Sequence, residues 1–236
     1  MRGDAEMEDP FYCGAYWGPR AESAAACASR LAQCLADLGE AHPVLGAWHR
    51  KGRSRSAASG GSIDTGPEAL ASLLAGGRHR QDVGGEVIDE LGFTQSLWNR
   101  KPVAVSFSTL CGAVPATTAI RNHVVLELPA ADDRSAGLYD PAVASRMVTA
   151  VVSAWQPEWA TFASYAMRAR QKAAPPALVV GWQTYLSGVE PRPAPAGLRV
   201  DKIAAGVLVT AGPDPLRVSD QLLDSAVEYV AALSSR

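Results

Sequence analysis

What this sequence does not contain narrows its function more than what it contains. It has no strong charge of either sign: 22 Lys and Arg stand against 24 Asp and Glu, a formal net charge of −2. A dedicated nucleic-acid binder usually carries a clear basic excess, and none is present. Charged residues are altogether scarce at 19% of the chain, while apolar residues make up 47%, enough for a substantial core. No apolar run approaches the roughly 20 residues needed to cross a bilayer; Ile203–Val209 is among the longest. Met1–Pro10 is acidic and has no apolar stretch of the secretory kind. The reading is therefore a cytoplasmic protein with an acidic, flexible segment at residues 1–10 and one domain over residues 11–236.

Catalytic signatures are equally absent. The sequence holds no G-x-S-x-G elbow, no H-E-x-x-H pair and no phosphate-cradling glycine loop. Histidine occurs four times, as His42, His49, His79 and His123, with only His123 inside an expected strand. The four cysteines, Cys13, Cys27, Cys34 and Cys111, follow no metal spacing. Cys27 and Cys34 are seven apart and share a helix face with Ala24, Leu31 and Leu38, where cysteine acts as a small hydrophobe. No metal and no cofactor is expected. A hydrolase using Cys111 and His123 is the enzymatic alternative, and Arg50–Arg55 the nucleic-acid-binding one, because basic runs hold phosphates.

What is present is an alternation of short strands and amphipathic helices. Phe11–Trp17 is an aromatic-rich strand. Arg20–Leu38 repeats apolar residues at three- and four-residue intervals and predicts a helix entered through Gly18-Pro19 and ended by Gly39. Trp48–Gly61 reads as an exposed loop and Pro67–Leu74 as a short helix. Gly84-Gly85 interrupts Arg78–Asn99, leaving Glu86–Leu91 as a helical turn or a strand. Val103, Val105, Phe107 and Thr109 alternate as in a half-buried strand, followed by a second over Asn122–Leu128 that Pro129 closes. Pro141–Trp155 is helical, Trp159–Met167 and Val179–Leu186 are strands, and Ala173–Pro176 is a turn between them. Glu190–Gly197 is a proline-rich loop. Leu198–Thr210 forms a hairpin broken near Ala204–Gly206, and a helix through Leu222–Leu233 is capped by Ser219 or Asp214. No βαβ repeat emerges. The fold class is α+β, a mostly antiparallel sheet flanked by helices in a single domain.

One cluster of side chains suggests an interaction. Asp82, Glu86, Asp89 and Glu90 surround Gly84-Gly85. They lack the loop pattern of a hard-cation site, yet an acidic face is what a protein docking over the basic cleft of a nuclease needs. Trp98 lies close by in sequence, and tryptophan is enriched in binding hot spots.

Several blocks, in order, resemble a known family. They are Ala15-Tyr16-Trp17-Gly18-Pro19-Arg20 with Glu22-Ser23; Trp48 with Lys51-Gly52-Arg53-Ser54-Arg55; and, within Gly77–Asn99, Gly84-Gly85-Glu86-Val87-Ile88, Leu91-Gly92-Phe93 and Leu97-Trp98-Asn99. Trp155-Gln156-Pro157-Glu158-Trp159-Ala160 and Gly181-Trp182-Gln183-Thr184-Tyr185-Leu186 continue the series. Together they resemble the immunity protein 52 family of bacterial polymorphic toxin systems, with one departure at His79, where the family pattern has asparagine. The resemblance implies a small α+β protein, not an enzyme, encoded beside a toxin. It would bind that cognate toxin, typically a restriction-endonuclease-like nuclease, by covering its active site or locking it inactive, with no membrane and no direct nucleic acid as partner. Asp82, Glu86, Asp89, Glu90 and Trp98 are the candidate contacts.

Overall fold

The computed structural model describes residues 9–51, 61–115, 117, 120–172 and 178–235. The expected flexible segment at 1–10 lies, except for its last two residues, outside the described residues, as does the 173–176 turn. In chain order the elements are β1 (Pro10–Trp17), α1 (Ala24–Ala41), β2 (His49–Arg50), α2 (Pro67–Gly76), β3 (Phe93–Trp98), β4 (Ser106–Cys111), β5 (Asn122–Ala130) and α3 (Pro141–Trp155). There follow β6 (Trp159–Ser164), α4 (Tyr165–Arg170), β7 (Gln183–Ser187), β8 (Leu198–Ile203), β9 (Gly206–Ala211) and α5 (Asp220–Ser234). All the strands join one antiparallel sheet in the order β2-β3-β4-β5-β1-β6-β7-β9-β8. The expected α+β class is thus observed, with every pairing antiparallel.

Side-chain alternation sorts the sheet into two faces. One buries Phe11, Cys13, Ala15, Trp17, Phe107, Val124, Leu126 and Phe162 against α1, α2 and α3. On the other, Trp159, Leu186, Val207 and Val209 pack under Leu223, Ala226, Tyr229 and Val230 of α5, and Tyr12 and Ala163 lie beside Met167 of α4.

Several boundaries differ from the sequence reading, most for a local reason. α1 begins at Ala24 because Ser23 caps it, its hydroxyl accepting from Ala26 N–H at 3.2 Å. Gly39 does not end the helix; it lies inside, where a Cβ would stand 3.3 Å from the Gly46 Cα, so its role is close approach. Ser164 stops β6 short of Met167 by capping α4 at 3.1 Å. β7 starts only at Gln183, since the Gln171 side chain occupies both the N–H (2.9 Å) and the carbonyl (2.6 Å) of Val180. β5 also runs past Pro129 to Ala130, with a register shift against β1 at Pro10/Phe11.

Trp48, expected in an exposed loop, is buried edge-on against Phe107. The His49–Arg50 strand that follows pairs with β3. Of the basic run, Arg50 and Lys51 are exposed; Arg53 and Arg55 lie outside the described residues. Ser219 caps α5, and Asp214 caps the short 3₁₀ turn Pro215–Arg217 before it, so each proposed cap serves its own element.

Candidate functional site

The chain leaves the end of α2 at Gly77 and returns at Phe93 through an excursion that stands off the sheet edge as a finger. Its two limbs pair antiparallel: Arg80 opposes Val87, Gln81 N–H donates to the Glu86 carbonyl at 2.8 Å, and Ile88 N–H to the His79 carbonyl at 3.0 Å. The tip, Asp82-Val83-Gly84-Gly85, turns on two glycines at φ +85° and +66°, a region that costs L-residues energy and glycine almost none. The Gly84-Gly85 interruption read from the sequence is therefore the turn of a hairpin.

The base of the finger is held by several side chains. Arg78 forms an ion pair with Asp89 and lies over the Phe93 ring at 5.7 Å. His79 Nε2 meets Thr94 Oγ1 at 2.8 Å, tying the finger to the start of β3. Asp89–Leu91 makes a 3₁₀ turn, and Val114 N–H donates to the Glu90 carbonyl at 2.9 Å.

Asp82, Glu86, Asp89 and Glu90 are all exposed on this finger. Asp89 is committed to Arg78, which leaves Asp82, Glu86 and Glu90 outside any ion pair found among the described residues. Val83 at the tip is 86% exposed. Trp98 is not brought to this cluster. It stands at the opposite end of β3, about 13 Å from Thr94 at strand rise, half-buried between its register partners His49 and Ser106.

The catalytic alternative does not assemble. His123 is the register partner of Leu110, so Cys111, one residue further on, points to the opposite face of the sheet. Cys111 is fully buried, and its hydrogen bond with Cys27, followed by burial, pushes its thiol well above the ordinary range. Burial also raises the Cys34 thiol to about 12. All four cysteines are free and buried, as expected of core residues. No group of three or more metal-ligating side chains occurs among the described residues.

Burial, opposed by a hydrogen bond to the Arg121 carbonyl, holds His123 below the usual histidine value, and burial with the nearby Arg146 lowers His42. The folded protein then binds fewer protons than the unfolded chain, so this stability is complete above about pH 6.5 and is lost as pH falls through that value. Thermal melts are expected to show a lower Tm at pH 5.5 than at pH 7.5, with a smaller drop in His123→Gln. A Tm that is flat or rises over that window contradicts the assignment.

The residues carrying the family resemblance are largely architectural. Arg20 and Arg30 donate to the Trp155 and Ala154 carbonyls, each at 2.9 Å, while Glu22 accepts from both guanidinium groups at 2.9 and 2.7 Å. Glu158 accepts from Gly18 N–H at 3.0 Å and from Arg121 at 2.7 Å. Asn99 is fully buried, its amide donating to the Val44 and Val103 carbonyls and its oxygen accepting from Val105 N–H. Trp182 donates to the Gly212 carbonyl at 3.1 Å. Sequence reasoning could not find these partners, since most are over a hundred residues away or are backbone carbonyls.

Comparison with known proteins follows the same line. A T6SS protein of Pseudomonas aeruginosa, PA0821, shares the fold with a TM-score of 0.52 at 14% identity, over 95% of this chain and 75% of that one. No curated protein matches the chain in sequence. The profile of the family described as Immunity protein 52 matches residues 9–227. That span takes in every strand and the first half of α5, and the chain belongs to the immunity protein 52 family.

Proposed function

We propose that the protein binds and neutralises a cognate bacterial toxin, a nuclease, in the cytoplasm of the cell that makes both, and that the finger is the part set against the toxin's cleft. The observation that carries this reading is the finger itself. It is a braced hairpin that presents three carboxylates outside any ion pair among the described residues and one exposed apolar side chain at the sheet edge, while its root is fixed by Arg78–Asp89 and His79–Thr94. A nuclease cleft is basic because it holds phosphates, and an acidic projection both steers toward it and competes with DNA there. Family membership supports the immunity role, and a T6SS neighbour of the same fold supports a toxin delivered between bacteria. No helix among the described residues is long and apolar enough to cross a membrane.

The test is charge reversal at the tip, Asp82→Lys with Glu86→Lys, since both side chains are exposed and neither braces the root. The association rate with the toxin encoded beside the gene is expected to fall about tenfold at low salt, with the difference shrinking as salt rises and Tm unchanged. Unaltered association and undiminished protection of toxin-expressing cells would remove the finger from the mechanism.

A further inference from the structure

The second face of the sheet is only half covered. α4 and α5 lie over β1, β6 and β9, and no helix among the described residues lies over β3, β4 and β5. Register places nine side chains there in three rows: Trp98–Ser106–Glu127, Ser96–Ser108–Val125 and Thr94–Leu110–His123. An antiparallel sheet often leaves one face to water, but a solvated surface then carries charge at about one position in three or four. Here a single position, Glu127, is charged. The remainder is uncharged, with Leu110 buried and the other seven half-buried, and depletion of charge is what marks the centre of an interface.

Glu127 itself meets no counter-charge among the described residues. One carboxylate oxygen accepts from Ser106 Oγ at 2.6 Å, and no cation forms an ion pair with it among the described residues. Its exposed carboxylate sits two strands from Trp98 in the same row, across the small Ser106. A guanidinium fits such a site, pairing with the carboxylate through planar N–H donors and lying against the indole face.

We propose that this helix-free half-sheet is a docking face for the toxin, and that Glu127 receives an arginine side chain of that toxin beside Trp98. The proposal rests on the immunity reading. A second copy of this chain is disfavoured by charge: in a two-fold dimer the face meets itself, and its nine positions hold one carboxylate and no arginine or lysine. The face measures about 15 Å by 17 Å from strand spacing and rise, less than the ~800 Å² per partner of a standard interface. Its Thr94 corner is bonded to His79 of the finger, so face and finger together supply the missing area as one surface.

The experiment measures binding of the catalytically silenced toxin encoded beside the gene to the wild-type chain, Glu127→Gln, Glu127→Arg and the finger double reversal, with Tm and the free proteins' mass by light scattering. Glu127→Gln is expected to weaken binding about 30-fold and Glu127→Arg by more than about 100-fold, with Tm and monomer mass unchanged because the side chain is exposed. A photo-crosslinker in place of Ser108 is expected to capture an arginine-containing toxin peptide. Binding of Glu127→Arg within twofold of wild type overturns the docking face, and if the finger reversal still weakens binding the immunity reading survives that failure. A free dimer that Glu127→Arg dissociates also overturns it, assigning the face to self-association. A wild-type chain that binds no toxin removes both proposals.

Discussion

Replacing Trp155 by alanine is expected to destabilise the fold by about 4 kcal/mol, the largest effect of any single change considered, because truncating a buried aromatic costs about 3–5 kcal/mol. Trp155 ends α3, is fully buried, and stacks on Trp17 of β1 with ring centroids 5.3 Å apart and planes 23° from parallel. The ring fills the space where α3 meets the sheet beneath α1, so no flexible side chain at the surface can relax into the cavity. For a domain of this length the loss corresponds to a fall in Tm of about 8–16 °C. Trp155→Phe keeps most of the volume and is expected to retain more than half of that stability. Chemical denaturation with matched slopes checks both; a loss below about 1 kcal/mol for the alanine variant contradicts the packing described.

The second large effect is expected at Glu22. The last carbonyls of a helix have no intrahelical partner, and the negative end of the helix dipole favours cations there. α3 carries no basic residue in its own last turn. Arg20 and Arg30 come from the β1–α1 connection and from α1 to bond the Trp155 and Ala154 carbonyls respectively, and Arg20 also lies 4.8 Å over the Trp17 ring. Glu22, with only 9% of its side chain exposed, lies between the two guanidinium groups and neutralises part of their mutual repulsion. Glu22→Ala leaves two partly desolvated cations facing each other. Removing one member of a buried pair costs about 3–5 kcal/mol; the arginines are 27% exposed, so a value near the lower end is expected. Glu22→Gln, which keeps the shape and one acceptor, is expected to lose about half as much. Urea unfolding separates the variants, and equal stability of wild type and Glu22→Ala rules out the clasp.

These two sites show what the sequence made legible and what it could not. Trp155 and Glu22 both lie in the blocks that identify the family, and their importance was visible there; their task was not. Arg20 looks like the first residue of a helix by periodicity, yet its guanidinium is bonded to a helix end 135 residues away. Long, strongly periodic elements were readable because burial on one face dictates their pattern, as in Pro141–Trp155, whose limits agree with the structure residue for residue. β3 was not, because Thr94, Ser96 and Trp98 face the uncovered side and the buried positions between them include Gln95. With no apolar alternation to read, strand and loop look alike.

The candidate site was divided in the same way. Four of its five residues follow one another along the finger, and local charge was enough to find them. Trp98 was added because it is near in sequence, and the length of β3 carries it to the far end of the strand from the finger. Glu127 left no signal at all: one acid within an apolar strand gains its meaning only from the uncharged face around it. The Cys111–His123 pair failed for a related reason, since a shift of one residue in a strand reverses the face.

The central claim is that this protein protects by forming a complex. Co-expression with the toxin encoded beside its gene, scored at once for cell survival and for a complex that survives purification, tests it most directly. The account predicts surviving cells that yield a stable complex of the two chains. Survival without any complex contradicts it and points to an enzyme acting on the toxin or on the damage it causes.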